Sequence, residues 1–120
     1  MLIRSQDKTV IVNINNVFSI AIRDINGATA MYIGSQGSCC NMAEYSTKAK
    51  AMKVLDMIQE AYMNFEASKI ISTGLAGATY TGSYDTPESV AAGIKVLKDY
   101  TELIRESVVF QMPEDSEVEA

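Results

Sequence analysis

Histidine and tryptophan are absent from the 120 residues, and proline and cysteine occur only twice each. Without histidine the chain lacks the usual general base near neutral pH, which excludes Ser-His and Cys-His nucleophile pairs. Histidine-containing zinc sites are excluded with it, and two cysteines fall short of the four thiolates of an all-cysteine site. No D-x-D-x-D-G calcium loop occurs either. Cys39 and Cys40 are adjacent, so a bond between them would be strained. They read as structural thiols of a reducing compartment. No apolar run approaches the roughly 20 residues that cross a bilayer. The polar start, Met1 to Lys8, lacks the apolar stretch of a signal peptide. A cytoplasmic protein without cofactor, and not an enzyme, is the expectation.

Ten Lys and Arg stand against 15 Asp and Glu, a net charge of −5 that argues against a nucleic-acid polymer or an anionic membrane as partner. Four of the acids, Glu114, Asp115, Glu117 and Glu119, follow Pro113. With those four set aside, 11 of the 15 acids face 10 bases, a net of −1, and such a body can still carry a basic pocket for a small anion. The residues divide accordingly into one α+β domain over 1–113 and an acidic, disordered tail over 114–120. The remaining carboxylates fall on two helical segments: Asp56, Glu60 and Glu66 on one, Asp99, Glu102 and Glu106 on the other. Nothing in their spacing places an acid and a base around one bond.

What is present is 48% hydrophobic residues, enough for a core. The early chain reads as strands at Leu2 to Ser5, Thr9 to Ile14 and Val17 to Arg23, with a weaker one from Cys39 to Tyr45. Asn26-Gly27 between two apolar runs marks a hairpin, since this pair takes positive φ at both turn positions. Ser46 is the expected N-cap of a helix from Thr47 to about Ala67, whose stripe is Ala51, Val54, Leu55, Ile58, Tyr62 and Phe65. Met52, Met57 and Met63 lie outside that stripe and suit either core filling or contacts between subunits. Thr86-Pro87-Glu88 opens a second helix with the inner stripe Val90, Ile94, Leu97, Thr101 and Ile104. Val108-Val109-Phe110 then has strand character. The expected fold is a small N-terminal antiparallel sheet packed with two long helices and a C-terminal return strand.

Between the helices, residues 72–84 are dense in glycine and hydroxyl groups. They read either as a connector or as a ligand loop whose backbone N–H groups meet phosphate. Tyr80 and Tyr84 favour the second reading, because exposed rings can stack on a base. Arg105 either complements the helix C-terminal dipole or grips a phosphate through its guanidinium. Arg23 has the same two uses, and Phe18 is either core or a base-facing aromatic. Lys48, Lys50 and Lys53 read as a solvated helix face.

Three segments, Ile3 to Lys8, Ala51 to Ile58 and Val109 to Glu114, together resemble small proteins of bacteriophages and prophages. In its order of sheet, two long helices and return strand, the chain resembles the Thoeris anti-defence sponge family, type one. That resemblance implies a phage protein in a bacterial host that sequesters a cyclic nucleotide immune signal, glyco-cyclic ADP-ribose and, in some members of the family, cyclic oligonucleotides, without cleaving it. It also implies a homo-oligomer of dimers assembling up to a hexamer. An Arg near the end of the second helix matches Arg105, and an aromatic of the early strand matches Phe18. Arg23, Tyr80 and Tyr84 join this candidate ligand-binding set on their chemistry alone. Two other readings stand beside it: an acidic protein-binding inhibitor or structural phage protein acting through its helical face, and a nucleotide-cleaving enzyme, which the missing histidine disfavours.

Overall fold

In the computed structural model, residues 1–35, 38–81 and 87–119 are described, with the backbone alone for 35, 71–81, 89, 100, 103, 104 and 106. The fold is mixed α and β, with two three-stranded sheets and two helices among these residues. It divides into two compact units, Met1–Tyr62 with Val109–Ala120, and Met63–Val108, where the sequence suggested one domain.

The first unit contains both sheets. Strand β1 (Leu2–Arg4) lies between β2 (Ile11–Asn13) and β6 (Val109–Gln111). The β1–β2 pair is antiparallel, but β6 runs parallel to β1, with Ile3 opposite Phe110. The expectation of one antiparallel sheet is thus corrected to two sheets, one of them mixed. A parallel neighbour needs a long crossover, and here the whole chain between Arg4 and Val109 supplies it.

The second sheet is the meander β3 (Ser19–Ile25), β4 (Ala28–Ser35), β5 (Ser38–Tyr45). Its first turn is the expected hairpin, with Asn26 at φ 51° and Gly27 at φ 84°. Gly27 is required there because a Cβ is strained at that angle. The core draws on distant parts of the unit: Ile3 of β1, Met31, Met42 and Tyr45 of the second sheet, Val54 of the first helix, and Met112 after β6 are all fully buried.

Helix α1 runs over Lys48–Thr81. Its start is capped by Thr47, whose Oγ1 accepts the Lys50 N–H at 3.2 Å, so the cap lies one residue later than Ser46. Ala51, Val54 and Ile58 are buried as the stripe requires. The end is further along than Ala67, because residues 72–81 continue the helix instead of forming a loop. Gly74 and Gly77 each cost about 1 kcal/mol there, yet no proline between Lys48 and Thr81 removes a ladder bond. Ser68 turns its hydroxyl back onto the Asn64 carbonyl at 2.8 Å, which keeps it from competing with the helix.

Helix α2, Pro87–Ser107, begins on the expected proline with Glu88 in its first turn; Thr86, the expected cap, lies outside the described residues. Its expected inner stripe is exposed where it is described: Val90 40%, Ile94 61% and Leu97 46%. No helix among the described residues is long and apolar enough to cross a membrane.

The acidic end is also a correction. Residues expected to form a disordered tail make a 3-10 turn at Asp115–Glu117, and Val118 is buried.

Candidate functional site

Among the described residues, two open clefts lie within the first unit. One, of about 400 Å³, is lined by Gln6, Asp7, Asn41, Met42, Ala43 and Glu44. Its floor is a join between the two sheets. The Gln6 N–H donates to the Met42 carbonyl at 2.8 Å, and its side-chain amide both accepts the Glu44 N–H at 3.1 Å and donates to the Glu44 carbonyl at 3.2 Å. A side-chain amide thus takes the place of a neighbouring peptide group along part of the β5 edge. Gln6 Nε2 also reaches the Pro113 carbonyl at 3.1 Å.

Asp7, beside it, organises its own turn. Its Oδ1 accepts from Ser5 Oγ at 2.6 Å, Thr9 Oγ1 at 2.7 Å and the Thr9 N–H at 3.0 Å. These bonds, the Ser5 hydroxyl first, pull its pKa down to about 2. Asn41 Nδ2 donates to Glu44 Oε1 at 3.3 Å. With two carboxylates and no Lys or Arg in its lining, this cleft repels a phosphate.

The other cleft, of about 330 Å³, is mainly apolar. Ile14 and Ile20 face Leu55, Ile58, Gln59 and Tyr62 of α1. An aromatic ring or an aliphatic side chain suits this lining, with Tyr62 available for stacking and the Gln59 amide for hydrogen bonding. Sequence reasoning placed Tyr62 in the helix core and passed over Gln59. The available signal was their i, i+3 spacing at the end of the buried stripe.

Of the sequence-derived residues, Phe18 and Arg23 lie in the first unit. Phe18 precedes β3 and is 74% exposed, with its N–H donating to the Gly34 carbonyl at 2.8 Å. Arg23, near the far end of β3, holds its guanidinium 5.4 Å from the centre of the Tyr32 ring. Tyr32 pairs with Ala21, so this is a diagonal contact across the β3–β4 ladder. Five residues of extended chain, on the order of 16 Å, separate Phe18 from Arg23, and the structure does not bring them together. Arg105 belongs to the second unit and is exposed in the last turn of α2. Tyr80 falls in helical backbone, while its side chain and the whole of Tyr84 lie outside the described residues.

The lysines are not all a free solvated face. Lys50 Nζ pairs with Asp115 Oδ2 at 3.2 Å, and Lys53 Nζ donates to the Glu119 carbonyl. Cys39 and Cys40 are free thiols. As neighbours on β5 they point to opposite faces, which keeps them from chelating one ion. Among the described residues, no group of three or more Cys, Asp or Glu comes together in a metal-holding arrangement. Searches of family models, curated proteins and solved structures find no match to this chain.

Proposed function

We propose that the protein is a non-catalytic binding protein that works as a helix-paired oligomer and sequesters a cyclic nucleotide signal, glyco-cyclic ADP-ribose or a cyclic oligonucleotide, so disabling a bacterial anti-phage defence. The observation that carries this reading is the exposed stripe of α2. Val90, Ile94 and Leu97 have the spacing of a buried helix face and yet remain 40–61% exposed in the single chain. A partner helix covers such a face. The ligand itself comes from the resemblance to the Thoeris sponge family.

An oligomer also suits the chemistry of capture. Neither of the two clefts among the described residues is lined by Lys or Arg, and a diphosphate held between subunits has cations such as Arg105 to draw on. Nanomolar capture needs about −12 kcal/mol, more than an open surface supplies. Release of an unchanged ligand requires no general base.

The same exposed stripe supports a second reading, a protein-binding inhibitor or structural phage protein that docks its helical face on a foreign partner. One experiment separates them. The purified protein is incubated with cyclic ADP-ribose derivatives and cyclic di- and trinucleotides, desalted, heat-denatured, and the released material analysed. Intact nucleotide supports sequestration, altered nucleotide identifies an enzyme, and no retention with a monomeric mass favours the foreign partner. Arg105→Ala is expected to reduce retention without unfolding; unchanged retention removes Arg105 from the site.

A further inference from the structure

The segment after β6 is bound at successive positions to residues far away in the chain. The Met112 N–H donates to the Arg4 carbonyl at 3.0 Å, and the Pro113 carbonyl accepts from Tyr45 Oη at 3.0 Å and from Gln6 Nε2 at 3.1 Å. The Glu114 N–H donates to Glu117 Oε2 at 2.8 Å, and the Glu117 N–H returns to the Glu114 carbonyl at 3.0 Å, which closes a tight turn. Met112 and Val118 are 1% and 4% exposed and flank that turn as apolar anchors.

Asp115 lies midway between the two anchors. Its Oδ1 accepts the Ser46 N–H at 2.7 Å and Ser46 Oγ at 2.9 Å, and Lys50 Nζ lies 3.2 Å from its Oδ2 and 2.9 Å from its carbonyl. Ser46 and Lys50 flank the first turn of α1. The carboxylate therefore sits at the positive end of the helix dipole and supplies an acceptor from 69 residues away. Thr47 satisfies Lys50 locally, but the Ser46 N–H depends on Asp115.

We propose that residues 112–119 form a strap latched to α1 through Asp115, so that the strap and the first turn of the helix open and close as one unit. Opening removes the acceptor of Ser46 and releases Lys50 and Lys53 together. Closing requires the carboxylate to return between two seated anchors. The sequence reason is compact: a reciprocal Glu114–Glu117 turn presents Asp115, and an apolar residue three positions to either side holds the turn in place.

The test is amide hydrogen exchange on the full chain. Asp115→Ala is expected to speed exchange several-fold at both Ser46 and Val118 while β1 keeps its protection. Thr47→Ala loosens the same first turn and is therefore expected to speed exchange at Lys50 and at Val118 together. Asp115→Asn keeps an acceptor for Ser46 but no charge for Lys50, and its rates are expected to fall between wild type and Asp115→Ala. Wild-type rates at Ser46 and Val118 in both Asp115 variants overturn the latch, as does a Thr47→Ala variant that speeds Lys50 while Val118 keeps its wild-type rate.

Discussion

Replacing Ile94 by Glu tests the assembly reading where it is most exposed to failure. Val90, Ile94 and Leu97 retain 40%, 61% and 46% exposure. Complete burial of an aliphatic side chain is worth about 1.5–3 kcal/mol, so covering the remaining half contributes about 1 kcal/mol per residue. In a twofold pair every position counts twice, which gives about 6 kcal/mol from the three. Ile94 is central and the most exposed, so Ile94→Glu removes about 2–3 kcal/mol over both copies and adds a carboxylate that must stay hydrated. Self-association should weaken on the order of 100-fold. Sedimentation equilibrium across a concentration series measures this directly, with far-UV circular dichroism as the control for folding. Glu is at least as good a helix former as Ile, so an isolated fold does not suffer. A monomeric wild type, or a variant that associates as strongly as wild type, refutes self-pairing through this stripe. An unfolded variant refutes the exposure on which the reasoning rests.

Gly27→Val should destabilise the fold by about 1–2 kcal/mol in urea unfolding, because a β-branched residue resists the left-handed backbone there although open space surrounds the position; an unchanged midpoint would mean that the turn relaxes. Asp7 is depressed in the fold to about 2, so its contribution to stability is fully present above the ordinary carboxylate range and is lost as pH falls from about 4 towards 2. Asp7→Asn should flatten the fall of the urea midpoint across that window. Burial, reinforced by Glu114, Asp115 and Glu117, drives the Tyr45 phenol well above its usual value, so it stays a neutral donor to Pro113. Tyr45→Phe should cost about 0.5–1.5 kcal/mol in the same unfolding assay, towards the lower end because Gln6 still serves that carbonyl.

Local chemistry made the first unit largely legible. Asn-Gly fixed the hairpin, Ile and Val runs located most of the strands, and three-and-four spacing identified the buried face of α1. Its errors were long-range. No local signal says that Val109–Gln111 lies parallel to Leu2–Arg4, or that a glutamine side chain joins two sheets. The acidic end misled for a related reason: composition reports the cost of burying charge, whereas Met112 and Val118 carry the anchoring and Asp115 meets a helix start far away in the chain. Residues 72–81 misled in the opposite direction, since glycine and hydroxyl content lowers helix propensity without forbidding a helix already running. The candidate site was the least legible part. Phe18, Arg23 and Arg105 were chosen for chemistry that any exposed aromatic or arginine offers, and side-chain type alone does not bring residues together.

The contrast between the units bears on function more than any single residue does. In the first unit the periodic residues Ala51, Val54 and Ile58 are covered, with Tyr62 the exposed end of their stripe at 37%, and β1 is paired on both sides. In the second, α2 has an equally clear period, and Val90, Ile94 and Leu97 of its stripe are left exposed. A sequence that specifies one structure keeps its levels consistent, and departures cluster where the chain does something besides fold. A random exposed apolar residue breaks no pattern. Three at the spacing of a helical stripe do, and the pattern is restored when a second surface covers the stripe. The assembly reading thus rests on a conflict between sequence period and exposure inside α2, while the choice of ligand rests on resemblance, and either can fail without the other.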